Sequence, residues 1–316
     1  MPILINLIPL NPTLISKIKT QAPQYQFVDL AEKDFTAADL AEAEIILGWS
    51  SKISEALKIS HKIKWIQVWF AGVDRLPLKE LADAKVSVTT SRGVSAPAIA
   101  QQVFGFLLMQ SRSLQTSVLA QARSEWQIPD QLTELNDKTV LTLGTGEIAR
   151  AVAHYAAAFD MQVIGVNTRG TSEAEFQTVY KMSAIDQALK QADVVVNTLP
   201  LTHATKGIVD ANFFAQMKSS ATYINVGRGK TTNERDLIAA LQAQQIAFAG
   251  LDVFESEPLA TNSPLWQMPN VLITPHSAGH TNHYNARIVA IFLKNFAAMQ
   301  AGQGLVENLV DYQREY

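Results

Sequence analysis

Three residues with acid–base or ion-pairing chemistry each follow a strand-like run of the sequence. Arg228 lies in INVGRGK, Glu257 in GLDVFESEPL and His276 in LITPHSAGH. Ligands of open α/β sheets bind at the carboxyl ends of the strands, so we expect these side chains to meet at one edge of a sheet. A guanidinium, a carboxylate and an imidazole are the groups needed to hold a 2-oxo acid, polarise its carbonyl and supply a proton as a hydride arrives.

Two further histidines, His280 and His283, follow His276 in the segment TPHSAGHTNH. Three histidines at this spacing could bind zinc. The segment lacks the HExxH arrangement of zinc enzymes, however, and transfer of a hydride requires no metal. We therefore predict no metal site and assign no chemistry to His280 and His283, which we interpret as residues of the substrate entrance or of a hinge.

A glycine-rich turn lies between a strand-like run and an alanine-rich helical pattern. The segment TVLTLGTGEIARAVAHYAAAF places Gly144, Gly146 and Ala149 in the spacing GxGxx(G/A). Gly144 permits the tight turn, Gly146 lets the backbone approach a pyrophosphate, and Ala149 allows close helix packing. Free amides at the helix start attract the anion, so the segment predicts a dinucleotide site.

The end of the next strand bears on which dinucleotide binds. NAD-binding proteins usually carry an acidic residue there, whereas VIGVNTRG offers Asn167, Thr168 and Arg169. No carboxylate would repel a 2′-phosphate, and a guanidinium can pair with it. We therefore favour NADP(H), with NAD(H) possible; the alternative is that Arg169 is a solvated loop residue and the preference is weak.

Strand-like and helical patterns alternate along the whole chain, which predicts an α/β protein with two doubly wound parallel sheets. Apolar runs begin at Ile3, Gln26, Glu44, Trp65 and Val86, and six more follow residue 138. Between them, APAIAQQVFGFLLMQSRSLQTSVLAQARSEW predicts one long connecting helix. We place one domain at 1–97 with 284–316, and the dinucleotide-binding domain at 98–283.

Composition excludes several classes of function. The 316 residues are 47% hydrophobic, carry a net charge of −3 and include no cysteine. Interspersed charges argue against nucleic acid as a partner, and the lack of a leader-like start or a long apolar run argues against membrane insertion. We expect a cytoplasmic protein whose chemistry uses neither thiolates nor disulfides.

Five motifs together resemble the D-isomer-specific 2-hydroxyacid dehydrogenase family, which includes glyoxylate/hydroxypyruvate reductases and phosphoglycerate dehydrogenases. They are GTGEIA, NTLPLTHATKGI, INVGRG, GLDVFESEPL and TPHSAGHT, in the family's order. The resemblance implies a Rossmann cofactor domain inserted into a flavodoxin-like substrate domain. It also implies NAD(P)-dependent reduction of a 2-oxo acid to the D-2-hydroxy acid, and a homodimer.

The resemblance also implies roles for individual residues. Arg228 would bind the substrate, His276 would be the acid/base, and Glu257 would orient His276. Backbone amides of Ala71, Gly72 and Val73 would receive the substrate carboxylate. The cofactor would bind along the glycine turn, the strand ends and the histidine segment, at Gly144, Thr145, Gly146, Glu147, Ile148, Asn167, Thr168, Arg169, Leu199, Pro200, Thr205, Asn225, Val226, Asp252, His276 and Ala278.

Two other functions remain open at the level of the sequence. A phosphoglycerate dehydrogenase would need extra basic residues for the phosphate, which Arg92 or Lys52 could supply. A cofactor-binding regulatory protein could retain the fold and the three catalytic residue types without turnover. Gln101 departs from the glutamate that many relatives have at the start of the connecting helix, so any charge contribution there is missing.

Overall fold

The computed structural model describes residues 1–73, 76–130 and 132–313. The chain divides into two compact units, Met1–Val94 with Thr281–Tyr316, and Ser95–His280. The first unit is therefore built from both ends of the chain, and the second is continuous in sequence. No described helix is long and apolar enough to cross a membrane.

The first unit contains a parallel sheet of five strands among its described residues, in the order β2-β1-β3-β4-β5. This is the strand order of flavodoxin-like domains. The strands are β1 (Ile3–Asn6), β2 (Gln26–Asp29), β3 (Ile45–Leu47), β4 (Trp65–Gln67) and β5 (Ser87–Thr89). The helices are α1 (Pro12–Gln21), α2 (Ala37–Ala41), α3 (Lys52–Ala56), α4 (Leu78–Asp83) and the last helix of the chain, α11 (Tyr284–Gln300).

Helix α11 is held on the first sheet by aromatic packing. The rings of Trp65 and Phe292 stack with centroids 5.0 Å apart, and both side chains are fully buried. The indole of Trp65 donates a hydrogen bond to Thr89 Oγ1 at 2.8 Å, which satisfies its buried N–H. The tail after α11 then returns to β5, where Leu309 forms an antiparallel bridge with Thr89.

The second unit contains a seven-stranded parallel sheet among its described residues, in the order β12-β11-β10-β9-β6-β7-β8. Its strands are β6 (Thr139–Leu143), β7 (Gln162–Asn167), β8 (Thr178–Lys181), β9 (Val194–Asn197), β10 (Thr222–Asn225), β11 (Phe248–Leu251) and β12 (Val271–Ile273). Its helices are α5 (Ala96–Ser111), α6 (Leu114–Ala122), α7 (Glu147–Ala157), α8 (Ile185–Leu189), α9 (Ala211–Ala215) and α10 (Glu234–Gln242). The strand order reverses between β6 and β9, which is where dinucleotides bind in such sheets. The predicted fold class, a Rossmann domain inserted into a flavodoxin-like domain, is confirmed.

The prediction of one continuous connecting helix is wrong. Helix α5 ends at Ser111 and α6 begins at Leu114, because Ser113 adopts a left-handed conformation with φ of +50°. The polar run Ser111-Arg112-Ser113 interrupts the apolar pattern there, and serine competes with helical hydrogen bonding through its own hydroxyl. Helix α6 also ends at Ala122, before the predicted limit.

Candidate active site

The glycine turn between β6 and α7 leaves the amino-terminal amides of α7 open. Gly144 has φ of +92°, a conformation that other residues rarely adopt. Gly146 is the N-cap of α7; no side chain caps the helix, and a Cβ placed at Gly146 would meet nothing within 4 Å. Ala149 is fully buried beneath the turn. The open amides and the helix dipole together suit an anionic group.

The side chain of Asn167 organises the loop at the end of β7. Its Oδ1 accepts hydrogen bonds from the backbone amides of Arg169 (3.1 Å), Gly170 (2.6 Å) and Thr171 (3.1 Å). Its Nδ2 donates to Thr145 Oγ1 at 3.2 Å, which joins this loop to the glycine turn. Sequence reasoning proposed Asn167 as a ligand residue and missed this structural role.

Arg169 is exposed, as is Thr168 before it. Within the part of the chain that the structure describes, its guanidinium makes no hydrogen bond or ion pair. The side chain is therefore available to an anion beside the loop.

The segment after β9 lies against the turn after β10. A Cβ on Gly227 would lie 2.7 Å from the carbonyl oxygen of Leu199, so only glycine allows this approach. Thr205 Oγ1 donates to the carbonyl of Pro200 at 2.6 Å and closes the loop between them. The structure thus brings the predicted residue Leu199 next to the chain that follows Val226, and Thr205 is joined to Pro200 in the same loop.

The turn that carries Arg228 is fixed by a buried polar network. Asn197 Nδ2 donates to the hydroxyls of Tyr223 (2.9 Å) and Thr231 (2.8 Å), and Thr231 Oγ1 donates to the carbonyl of Arg228 at 2.6 Å. Asn225 Oδ1 accepts from the amide of Gly227 at 3.1 Å. Burial raises the pKa of Tyr223 to about 12, so its hydroxyl stays neutral within this network.

Arg228 and Glu257 lie on loops that touch each other. A Cβ on Gly229 would lie 1.8 Å from the carbonyl oxygen of Phe254, so the Arg228 turn packs directly on the loop after β11. The amide of Phe254 donates to Glu257 Oε1 at 3.1 Å, which fixes one oxygen of that carboxylate. Arg228 itself is half-buried.

Glu257 and His276 form a hydrogen-bonded pair. Glu257 Oε2 lies 2.7 Å from His276 Nδ1, and the side chains are 31% and 47% exposed. A carboxylate at Nδ1 fixes the ring orientation and favours the tautomer with its proton on that nitrogen. Nε2 is then left to exchange a proton with a ligand. The pair is the arrangement of a general acid/base and its orienting group.

Asp252 anchors the turn on which His276 sits. Its carboxylate is buried and accepts hydrogen bonds from Thr274 Oγ1 (2.5 Å) and from the amides of Ser277 (2.9 Å) and Ala278 (3.1 Å). The amide of His276 donates to the carbonyl of Asp252 at 2.9 Å. His276 has φ of +50°, a left-handed conformation that costs free energy and persists because these bonds enforce it.

In the first unit, Ala71, Gly72 and Val73 follow β4, and their backbone N–H groups are unpaired among the described residues. None of the three N–H groups donates a hydrogen bond to a described residue. Three successive unpaired donors suit a carboxylate ligand. Asp74 and Arg75, which follow, lie outside the described residues.

The remaining residues considered from the sequence lie outside these groups. The described part of the chain contains no cluster of three or more His, Asp or Glu side chains able to hold a metal, and His283 lies at the N-cap position of α11, where its side chain makes no capping hydrogen bond. Gln101 Nε2 donates to the hydroxyl of Tyr155 at 3.1 Å. Lys52 donates to the carbonyl of Phe35 at 2.6 Å.

Residues 104–278 match the family model of the D-isomer specific 2-hydroxyacid dehydrogenase NAD binding domain. The chain belongs to this family. Curated relatives are similar to it over most of their length. Glyoxylate/hydroxypyruvate reductase B of Escherichia fergusonii is 35% identical over 263 residues, which cover 81% of each protein.

Solved structures of D-2-hydroxyacid dehydrogenases agree with this assignment. A family member from Aeromonas salmonicida subsp. salmonicida has a TM-score of 0.85 at 33% identity, covering 98% of this chain and 99% of the other. An NADPH-dependent glyoxylate/hydroxypyruvate reductase from Sinorhizobium meliloti, solved with NADP and sulfate, has a TM-score of 0.83 at 26% identity and covers all of both chains. The chain is therefore an NAD(P)-dependent oxidoreductase.

Replacing Asp252 by Asn should destabilise the cofactor domain by about 1 to 3 kcal/mol, because it removes the charge that strengthens three buried hydrogen bonds and puts an NH2 group where Oδ2 accepts from the amide of Ala278. Urea unfolding would measure the loss. Glu255→Gln is the matched control, since Glu255 is exposed on the same loop and should change stability by less than about 0.5 kcal/mol. Equal stability of the two variants would show that Asp252 does not anchor the turn.

Proposed function

We propose that the protein reduces a small 2-oxo acid to the D-2-hydroxy acid, using NADPH in preference to NADH. The observation that carries the proposal is the 2.7 Å pair of Glu257 Oε2 and His276 Nδ1 on the cofactor domain of a D-2-hydroxyacid dehydrogenase. An acid/base pair of this kind serves a reaction in which a carbonyl oxygen gains a proton as its carbon gains a hydride.

The proposed roles follow from the chemistry of each side chain. His276 Nε2 donates a proton to the substrate carbonyl oxygen, and Glu257 stabilises the imidazolium before the proton leaves. Arg228 binds the carboxylate and polarises the carbonyl by donating hydrogen bonds. The unpaired N–H groups of Ala71, Gly72 and Val73 receive the carboxylate.

The cofactor would be held by residues whose geometry suits it. The open amides after Gly146 would bind the pyrophosphate, and Leu199, Pro200, Thr205, Asn225 and Val226 would line its path. NADPH, when bound, supplies the hydride. The exposed guanidinium of Arg169 would pair with the 2′-phosphate, and the NADP held by the Sinorhizobium meliloti relative supports this choice.

Glyoxylate, hydroxypyruvate, pyruvate and phenylpyruvate should be tested for NADPH oxidation, and we expect turnover of at least one. His276→Ala should lower its kcat by about 10²- to 10⁴-fold, the usual share of acid–base catalysis. The decrease in absorbance of the reduced nicotinamide measures the turnover of each oxo acid and the kcat of the variant.

His280→Ala is the matched control, because this neighbouring histidine has no proposed chemistry and should keep near-normal turnover. Full activity in His276→Ala would overturn its role. Cofactor binding without turnover of any oxo acid would favour a regulatory protein. Oxidation of 3-phosphoglycerate, with inert oxo acids, would favour a phosphoglycerate dehydrogenase.

Arg169→Ala should lower kcat/KM for NADPH by about tenfold or more, because it removes a charge-assisted pair to the 2′-phosphate. The value for NADH should change little, since NADH lacks that phosphate. Arg112→Ala, a change at another exposed arginine of the same unit, should affect neither cofactor. Higher kcat/KM with NADH in the unaltered protein would contradict the proposed preference.

We also propose that two copies associate through an apolar surface of the second unit. Large apolar side chains are exposed on α6 and on the segment that follows it, at Leu114, Val118, Leu119, Trp126, Ile128 and Leu132. Trp126 is 98% exposed, which is unfavourable for an isolated chain. A symmetric contact between identical patches would bury it.

Leu119→Glu should convert the dimer to a monomer, because a carboxylate would be buried in the contact. Light scattering after size-exclusion chromatography measures the mass. Ile59→Glu introduces the same charge at an exposed apolar position of the other unit and should leave the dimer intact. A monomeric unaltered protein would contradict the proposal.

A further inference from the structure

Tyr284, the first residue of α11, makes two hydrogen bonds that no role described so far requires. Its hydroxyl donates to the backbone carbonyl of Trp69 at 2.7 Å and lies 3.1 Å from Ser91 Oγ. A phenol has one proton, and the bond to the Trp69 carbonyl uses it. Ser91 Oγ is therefore the donor in the second bond, and the two residues form a directed chain that ends on Trp69.

The same serine holds the next residue of the loop. The amide of Ser91 donates to the carbonyl of Phe70 at 3.1 Å. Two consecutive carbonyls, those of Trp69 and Phe70, are thus fixed immediately before Ala71, Gly72 and Val73. Fixing the carbonyl side of this loop sets the direction of the three unpaired N–H groups that follow.

Ser91 is itself held rigidly from the far end of the chain. It is 1% exposed and follows β5. Asn308 Nδ2 donates to the carbonyls of Thr90 (3.2 Å) and Arg92 (2.9 Å), and the amide of Thr90 donates to the carbonyl of Asn308 at 3.0 Å. Both neighbours of Ser91 are therefore fixed, so it can act as a support for Tyr284 and for the loop.

We infer that Tyr284 is a positioning residue for the substrate, acting with Ser91 to aim the N–H groups of Ala71, Gly72 and Val73 at the substrate carboxylate. The inference rests on the proposed function. Hydrogen bonds to a carboxylate weaken steeply when donors turn away, so a loosened loop reduces substrate binding. The cofactor has no proposed contact with this loop, so its binding is unaffected.

The Tyr284→Phe variant tests this inference, because it removes the hydroxyl and keeps the ring that packs on the first sheet. We expect KM for the oxo acid to rise by about fivefold or more, the effect of losing one hydrogen bond together with the order it imposes. KM for NADPH should stay within about twofold. If the role were purely structural, the variant would lose thermal stability and active protein, but KM for the oxo acid would not rise while KM for NADPH stays constant.

Tyr312→Phe is the matched control. The hydroxyl of Tyr312 also donates to a backbone carbonyl of the first unit, that of Val86, but this bond does not involve the 69–73 loop. Ser91→Ala should raise KM for the oxo acid in the same direction. The double variant with Tyr284→Phe should raise it by less than the product of the single effects, because both changes break one chain of bonds.

Binding of oxamate, a carboxylate analogue of a 2-oxo acid, should be measured beside turnover on the NADPH-loaded protein. A Kd for oxamate that rises in Tyr284→Phe and not in Tyr312→Phe supports the inference, even if the protein reduces no oxo acid and the proposed function has failed. If the protein reduces an oxo acid, and Tyr284→Phe and Tyr312→Phe have equal KM values for it and equal Kd values for oxamate, the inference is overturned and the proposed function is not. Failure of the unaltered protein both to bind oxamate and to reduce any of the four oxo acids overturns the inference and the proposed function together.

Discussion

Asp252 is a buried carboxylate whose oxygens accept from the hydroxyl of Thr274 and the backbone amides of Ser277 and Ala278. A buried charge is tolerated when hydrogen bonds replace its hydration, so the chain after β12 must wrap around this group. The left-handed backbone of His276 is the result. Because Asp252 and Glu257 follow the same strand, β11, the anchor of the histidine turn and the partner of the histidine ring share one support.

The fold could be predicted largely from the sequence because parallel strands buried on both faces appear as continuous apolar runs. The run VVVN of β9 and the glycine turn after β6 are examples, and both lie where the pattern placed them. Strand β8 was missed, since TVYK is a short edge strand whose residues are half-buried or exposed. The break at Ser113 depends on one backbone conformation that apolar periodicity does not encode.

The residue types of the candidate site could also be predicted, because each follows a strand and carries recognisable chemistry. The pairing of Glu257 with His276 was expected from the family resemblance, and the structure has it. The supports of the site could not be predicted in this way. Tyr284 and Trp69 are 215 residues apart in sequence, and neither has a local pattern that indicates the other. Asn167 is a second example. Its position after β7 suggested contact with the cofactor, whereas its side-chain amide holds the loop of residues 169–171.

The segment after α11 packs on β5, so the first unit is completed by residues that follow the second unit in the sequence. The seven strands described in the second sheet are all present once residue 273 has been synthesised, so that unit can fold as a continuous segment while the chain is still growing. The described strands of the first sheet end at Thr89, yet α11 and the Leu309 that forms a bridge to Thr89 follow the whole second unit in the sequence. The face of the first sheet that Phe292 covers therefore stays exposed until α11 has been synthesised.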